Sequence, residues 1–169
     1  YMADYIKALR IAYYAAKKVC SNVDIYMSLD HYWNSSHESN PVRYYKGKEM
    51  IDIIALHCYE HGDFGWGLNQ HIYPEYFPEP DVWNDTTPTM SYDSLKGNGK
   101  NLEMLNSYME REDTGNYLYE GNKFRKIYFG EQGFHCRDNA QQQWLDEIAA
   151  TFSYYWWKMR FIENFGPFI

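Results

Sequence analysis

The chain has 169 residues and a formal net charge of -7, and none of its apolar runs approaches the 18 or so residues that a membrane span needs. The clustered Lys and Arg that bind a nucleic-acid backbone are also missing from the sequence. We therefore expect neither a membrane nor a nucleic acid as partner. Aromatic residues make up 20% of the chain, and rings serve cores, interfaces or sugar stacking.

The first third of the chain predicts a helix, a strand and a second helix. Apolar residues at steps of three or four predict a helix that ends near residue 21: Ile6, Leu9, Tyr13, Ala16 and Cys20. The stretch "VDIYMSLD" alternates apolar and polar residues and predicts a strand that ends at Asp30 and His31. Residues 47–63 again have helical spacing, and Gly62 is the expected C-cap.

The rest of the chain repeats this alternation of strand and helix. "WGLNQHIYP" predicts a short strand over 66–73, and Pro74 stops it. Residues 75–100 have no period and predict a long loop of the kind that is often functional. A helix over 101–113, a strand over 126–131, a long helix capped by Asp138 and the start of a further strand at "NFGPFI" complete the order.

This order predicts an α/β fold with parallel strands, and two architectures fit it. A doubly wound sheet would carry a glycine-rich phosphate loop, but neither GxGxxG nor GxxxxGK[ST] occurs. A (β/α)8 barrel places its active residues where strands end, and three predicted strand ends here carry acids, imidazoles and rings. Because a complete barrel takes roughly 250 residues, we interpret 1–169 as a single partial (β/α)8 barrel domain, about strands 5 to 8, truncated at both ends.

The stretch "KIYFGEQGF" places a carboxylate, Glu131, at the end of an apolar strand and between Gly130 and Gly133. A charge in such a place is costly to desolvate and is normally paired or functional. The alternative is a solvated glutamate in a turn. The barrel hypothesis predicts that Asp30, His71 and Glu131 converge at the carboxyl edge of the sheet.

Three stretches together resemble a known family over essentially the whole chain: "YIKALRIAYYAAKKVCSNVDIYMSLDHYWN", "GDFGWGLNQHIYPE" and "KIYFGEQGF". They are similar to an uncharacterised bacterial family of barrel proteins related to clan A of the retaining (β/α)8 glycoside hydrolases. The resemblance implies a hydrolase of polysaccharides or glycosides, with a secreted or cell-surface location. Glu131 matches the clan's nucleophile at the end of strand seven. The clan's acid/base glutamate on strand four has no match, so we expect it upstream of residue 1 and expect the chain alone to be inactive.

The other polar and aromatic residues at the strand ends then have candidate roles in binding a carbohydrate. His71 and Tyr73 are suited to hydrogen-bonding Glu131. Asp30 and His31 are suited to holding sugar hydroxyls or to orienting Glu131. Trp33 and Trp83 are suited to stacking on a sugar ring. Each of these residues has a structural alternative, either an ordinary hydrogen bond or a ring packed on the barrel.

No cofactor and no metal is expected. His57 and His61 are four residues apart on a predicted helix, but Cys58 stands where a zinc-binding HExxH motif has Glu. The three cysteines are far apart and form no CxxC pair.

Two other functions stay open, a carbohydrate-binding barrel without catalysis and a doubly wound regulatory domain. Because a half barrel leaves sheet edges uncovered, we also expect this chain to pair with a second copy or with the missing barrel half.

Overall fold

The computed structural model describes residues 1–36, 45–111, 119–120, 123–135 and 141–168. These residues form four α-helices and six strands, in the order α1 (Met2–Val19), β1 (Ile25–Leu29), α2 (Gly47–His61), β2 (Trp66–Gln70), α3 (Leu102–Met109), β3 (Tyr119–Glu120), β4 (Lys123–Phe124), β5 (Ile127–Phe129), α4 (Gln142–Met159) and β6 (Phe165–Phe168). No helix in these ranges is both long and apolar enough to cross a membrane.

Four of the strands form one parallel sheet in the order β1, β2, β5, β6. The register pairs Met27 with Leu68 and Leu68 with Ile127 across the first three strands. The prediction of an α/β fold with neighbouring parallel strands is confirmed. Strands β3 and β4 form a separate antiparallel pair that the sequence did not predict, because two-residue strands are too short to show a period.

The sheet has one covered face and one open face. Strand residues that pack against the helices are at most 2% exposed: Met27, Leu29, Leu68, Ile127 and Phe129. The opposite face carries residues that are half-buried or exposed: Tyr26, Ser28, Asp30, Asn69, Tyr128 and Gly130. Parallel sheets are normally covered on both faces, as in doubly wound folds and barrels. The open face therefore differs from the usual parallel sheet.

A row of alternating large and small residues crosses this open face. The rings of Tyr26 and Tyr128 have centroids 5.4 Å apart, although β2 lies between their strands. They meet over Gly67, where an added Cβ would lie 2.7 Å from the Tyr26 ring. Gly166 is the next small residue, and a Cβ there would lie 3.1 Å from Tyr128. Alternation of this kind is typical of the tapered inner face of a small barrel.

The helices follow the predicted pattern, with shorter ends. Helix α1 buries Met2 and Ile6, and α2 ends before Gly62, whose φ of 85° is a conformation that favours glycine. Strand β2 ends at Gln70 and not at Tyr73, although the His71 N–H still bonds the Leu29 carbonyl at 2.8 Å. The proposed cap at Asp138 lies outside the described residues.

The carboxylates of Glu75 and Asp85 stabilise the long loop after β2 through hydrogen bonds. Glu75 accepts hydrogen bonds from the backbone N–H groups of Thr86 and Thr87, at 2.7 and 3.0 Å. Asp85 accepts from the Glu75 N–H and from the Asn98 amide, at 2.9 and 2.6 Å. These hydrogen bonds outweigh burial and lower the pKa of Glu75, whereas burial raises the pKa of Asp85. These hydrogen bonds thus fix the conformation of the loop that follows Tyr73.

Candidate functional site

Glu131 lies at the carboxyl edge, one residue after Gly130, and its side chain is 54% exposed. Its Oε1 accepts a 2.6 Å hydrogen bond from the Tyr73 hydroxyl. Its Oε2 lies 3.6 Å from Nε2 of His71. The residue that follows β5 is thus held by two residues that follow β2, and part of its carboxylate stays open to solvent.

The contact with Glu131 fixes the protonation of Tyr73. Burial, the hydrogen bond to Glu131 and the negative charges of Glu131 and Asp30 raise the pKa of Tyr73 to about 12. The phenol therefore remains a hydrogen-bond donor at any physiological pH. Tyr73 is therefore the donor, and Glu131 the acceptor, in their 2.6 Å hydrogen bond.

His71 contacts a hydroxyl as well as the carboxylate. Its Nε2 lies 2.9 Å from Oγ of Ser28, on β1. A Ser-His-acid triad needs the serine and the acid on opposite ring nitrogens, with the acid orienting the imidazole from Nδ1. Here Ser28 and Glu131 both face Nε2. The arrangement is therefore not that of a serine hydrolase.

Asp30 and His31 form a second group at the end of β1. Nδ1 of His31 lies 2.9 Å from Oδ1 of Asp30, which also accepts the His31 backbone N–H at 2.6 Å. Burial raises the pKa of Asp30, but the hydrogen bonds and charge of His31, with a smaller effect of His71, outweigh it and lower the pKa overall. Asp30 is 55% exposed and ionised at neutral pH. It can accept hydrogen bonds from a ligand, but it cannot donate a proton as a general acid.

His31 lies beneath the surface of the site. It is 4% exposed, and its ring stacks on Tyr32 with centroids 4.5 Å apart. The edges of Tyr73 and Phe77 face the same ring at 6.3 Å. His31 is therefore too buried to reach a ligand directly, and its polar contact at the site is with Asp30.

A cavity of about 310 Å³ opens next to this group, along the outer side of β1. Residues of α1, β1 and α2 line it, together with residues between β1 and α2. Among the lining residues are Tyr5, Ser28, Asp30, Tyr32, Tyr45 and Met50. Its volume is at the lower end of the range for small-molecule sites. Ser28 lines this cavity and also contacts His71, the residue that faces Glu131.

Trp33 and Trp83, the two residues predicted to stack on a sugar ring, differ in exposure. Trp33 is 1% exposed, donates from Nε1 to the Tyr92 carbonyl and packs edge-on against Tyr108. The proposed stacking role for Trp33 is wrong, because no ring face is available. Trp83 is 38% exposed and lies edge-on to Tyr154 of α4, 6.2 Å between centroids.

Three residues of the site were not predicted, namely Ser28, Asn69 and Gly130. Asn69 donates to Ser28 Oγ at 3.2 Å and accepts the Gly130 N–H at 2.7 Å. Ser28 and Asn69 each precede a predicted site residue by two positions, so both lie on the same strand face as Asp30 or His71. This spacing of two residues was the sequence signal by which Ser28 and Asn69 could have been predicted.

The described residues offer no evident metal site. The rings of His57 and His61 lie 4.6 Å apart on α2. No group of three His, Cys, Asp or Glu within the described ranges could hold an ion.

The fold and the site define an α/β protein whose parallel sheet presents a paired carboxylate at its carboxyl edge. The chain belongs to a family of unknown function, DUF5722, whose model matches residues 1–169. No curated protein and no solved structure matches the chain.

Proposed function

We propose that the chain is the carboxyl-terminal half of a (β/α)8 barrel that hydrolyses a glycoside or polysaccharide with retention, and that Glu131 is its nucleophile. The single observation that carries the proposal is the Glu131 carboxylate, held by Tyr73 at 2.6 Å and facing His71 at 3.6 Å, where parallel strands end. Carboxyl ends of strands are where barrel enzymes keep their chemistry. The resemblance to clan A glycoside hydrolases points to the same residue.

The barrel part of the proposal rests on the open face of the sheet. The four strands are parallel, and among the described residues the strand side chains that join the hydrophobic core lie on one face of the sheet. On the other face Tyr26 and Tyr128 converge over Gly67, which fits an inner layer of a closed barrel. We expect residues 1–169, produced alone, to self-associate at micromolar concentration through this face, burying about 1,600 Å² or more. A monodisperse monomer in light scattering would contradict the half-barrel fold.

The reaction assigned to Glu131 is a displacement at the anomeric carbon. An ionised carboxylate oxygen forms a bond to that carbon as the bond to the leaving oxygen breaks, and a general acid protonates the leaving oxygen. Water then cleaves the glycosyl ester and restores Glu131. Tyr73 holds the attacking carboxylate and Asp30 is placed to accept a sugar hydroxyl. Asp30 is not assigned as this general acid, because its contacts with His31 lower its pKa.

The test uses the full-length gene product and a panel of aryl 2-deoxy-2-fluoroglycosides, which trap a glycosyl enzyme. We expect a mass increase of one fluorosugar on the peptide that contains Glu131. Glu131→Gln should abolish labelling, whereas Glu49→Gln, a change at an exposed carboxylate on α2, should leave it intact. Labelling of a different carboxylate, or labelling that survives Glu131→Gln, would refute the nucleophile assignment.

One observation favours the second candidate, a carbohydrate-binding barrel without catalysis. Asp30 is ionised and is thus suited to binding hydroxyl groups rather than to proton donation. This candidate predicts oligosaccharide binding by calorimetry, weakened by Asp30→Asn, with no labelling by any fluoroglycoside. Covalent labelling of Glu131 would eliminate it.

A further inference from the structure

A closed loop of contacts connects Glu131 to the residue that precedes it. His71 Nε2 lies 3.6 Å from the carboxylate and 2.9 Å from Ser28 Oγ. The Asn69 amide donates to that hydroxyl at 3.2 Å and accepts from the Gly130 backbone N–H at 2.7 Å. Asn69 lies on β2, so its side chain joins β1 on one side with β5 on the other.

The chemistry of these partners fixes which way the Asn69 amide faces. A backbone N–H can only donate, so the amide oxygen must face Gly130 and the amide nitrogen must face Ser28. Glycine is required at position 130 for this approach, because an added Cβ would lie 2.9 Å from Oδ1 and 3.2 Å from Nδ2 of Asn69. The backbone beside Glu131 is thereby tied to a side chain of the central strand.

We infer that Asn69 is a positioning residue for the reaction assigned to Glu131, and this inference rests on the proposed function. Asn69 holds the backbone from which Glu131 projects and, through Ser28, the imidazole that faces the same carboxylate. An attacking oxygen must stand within a few tenths of an ångström of its productive place, and a displacement of about 1 Å costs about 100-fold in rate. Asn69 thus sets the distance between Glu131 and its partners from a neighbouring strand.

The test compares four single variants and one double variant of the full-length protein, with inactivation by an aryl 2-deoxy-2-fluoroglycoside as the readout. Asn69→Leu removes both hydrogen bonds at nearly constant volume, and Ser28→Ala removes one. Asn69→Asp is the conservative variant, because its oxygens can accept from both Gly130 N–H and the Ser28 hydroxyl. Asn164→Leu is the matched control, since Asn164 makes a comparable pair of bonds, to Asn106 at 3.3 Å and Glu110 at 2.6 Å, just before β6 begins.

We expect Asn69→Leu to lower the maximal inactivation rate about 100-fold while the inhibitor concentration at half-maximal rate changes little. Asn69→Asp should recover about tenfold of that loss, and Ser28→Ala should cost about tenfold. Combining Ser28→Ala with Asn69→Leu should cost no more than Asn69→Leu alone, because both act in one loop of contacts. Asn164→Leu should lower thermal stability to a similar extent and leave the rate within about twofold of wild type.

A second readout does not depend on turnover. The Gly130 amide proton should lose its hydrogen-bonded chemical shift and its exchange protection in Asn69→Leu, keep both in Asn69→Asp, and be unchanged in Asn164→Leu. A wild-type inactivation rate in Asn69→Leu, or an equal loss of rate in Asn164→Leu, would overturn the positioning role while Glu131 remained labelled. Failure of the wild-type protein to be labelled at all would instead overturn the proposed function, and the positioning role with it.

Discussion

Both edges of the sheet contain charged pairs, but the two pairs differ in how much of the charged side chain is exposed to solvent. At the amino edge, just before β5, Arg125 is fully buried, bonds Asp63 at 2.7 Å and the Trp66 carbonyl at 3.1 Å, and lies over the Trp66 ring. At the carboxyl edge Glu131 contacts Tyr73 and His71 but is about half exposed, so part of its carboxylate stays open to solvent. A charge enclosed by partners stabilises the fold, whereas a charge left open on one side is available to a ligand.

Cavity size does not distinguish the two edges. The amino edge carries a groove of about 460 Å³, larger than the cavity beside Asp30, but its charged residues are surface lysines and Asp24, which pairs with Lys126 at 3.0 Å. At the carboxyl edge Glu131, His71 and Tyr73 converge within hydrogen-bonding or near-contact distance. Convergence of polar groups, more than volume, is what assigns the chemistry to the carboxyl edge.

The largest expected effect is at Glu131. In the full-length protein Glu131→Gln should lower glycoside turnover by about 1,000-fold or more, because the amide cannot replace an ionised nucleophile. The urea midpoint of unfolding should change little, since the side chain is about half exposed. If Glu131→Gln lowered stability and left turnover unchanged, Glu131 would have a structural role like that of Arg125.

The next largest effect is at the amino edge. Arg125→Met should lower the free energy of unfolding by about 3 kcal/mol, because it removes the charged hydrogen bonds of a buried guanidinium to Asp63 and to the Trp66 carbonyl, whereas Asp63 itself is 35% exposed and stays hydrated. Urea denaturation measures it. The control is Lys126→Met, whose pair with Asp24 is exposed and should cost no more than about 1 kcal/mol. Equal effects in the two variants would contradict a structural role that is specific to Arg125.

Tyr73→Phe should have an intermediate effect on catalysis. It removes the hydrogen bond to the Glu131 carboxylate, and bonds to charged groups contribute about 1.5 to 3 kcal/mol. Turnover should therefore fall about 10- to 100-fold in steady-state assays. An unchanged rate would show that Tyr73 does not hold the reacting carboxylate.

The same tyrosine predicts a pH dependence. Burial and the contact with Glu131 raise the pKa of Tyr73 to about 12 from the usual 10.0 of a tyrosine. A raised pKa means that the folded state keeps the proton longer, so this stabilisation is complete below pH 10 and is lost between pH 10 and about 12. Phenolate absorbance should show one late-titrating tyrosine fewer in Tyr73→Phe than in wild type.

The smallest effect is expected at Asp30. Its pKa is lowered from 3.8 mainly by its hydrogen bonds to His31, so its stabilisation is present above about pH 4 and is lost as the pH falls through the folded-state pKa. Wild type should therefore be slightly more stable than Asp30→Asn at pH 6, and this difference in stability should be smaller at pH 3. Urea midpoints of unfolding at pH 6 and pH 3 measure this difference. A difference that grows in acid would mean that the pKa of Asp30 is raised and not lowered in the folded state.

The order of helices and strands could be predicted because local spacing reports which side of an element is buried. The periods of α1 and β1 identified both elements, and Gly62 marked the end of α2. Strand ends are also local, so Asp30, His71 and Glu131 could be identified as residues of one edge. Trp33 misled the prediction, because a tryptophan in a loop can equally be core, and its Nε1 finds a carbonyl 59 residues away.

By itself the sequence determined the α/β order, the apolar strand faces and the candidate carboxylate, since each depends on neighbours a few residues apart. Only the tertiary structure decided that Tyr73 holds Glu131 across 58 residues and that Asn69 links Ser28 to Gly130 across 41 and 61 residues. These contacts depend on the register in which β1, β2 and β5 pair, and that register is set by the packing of the whole sheet against its helices.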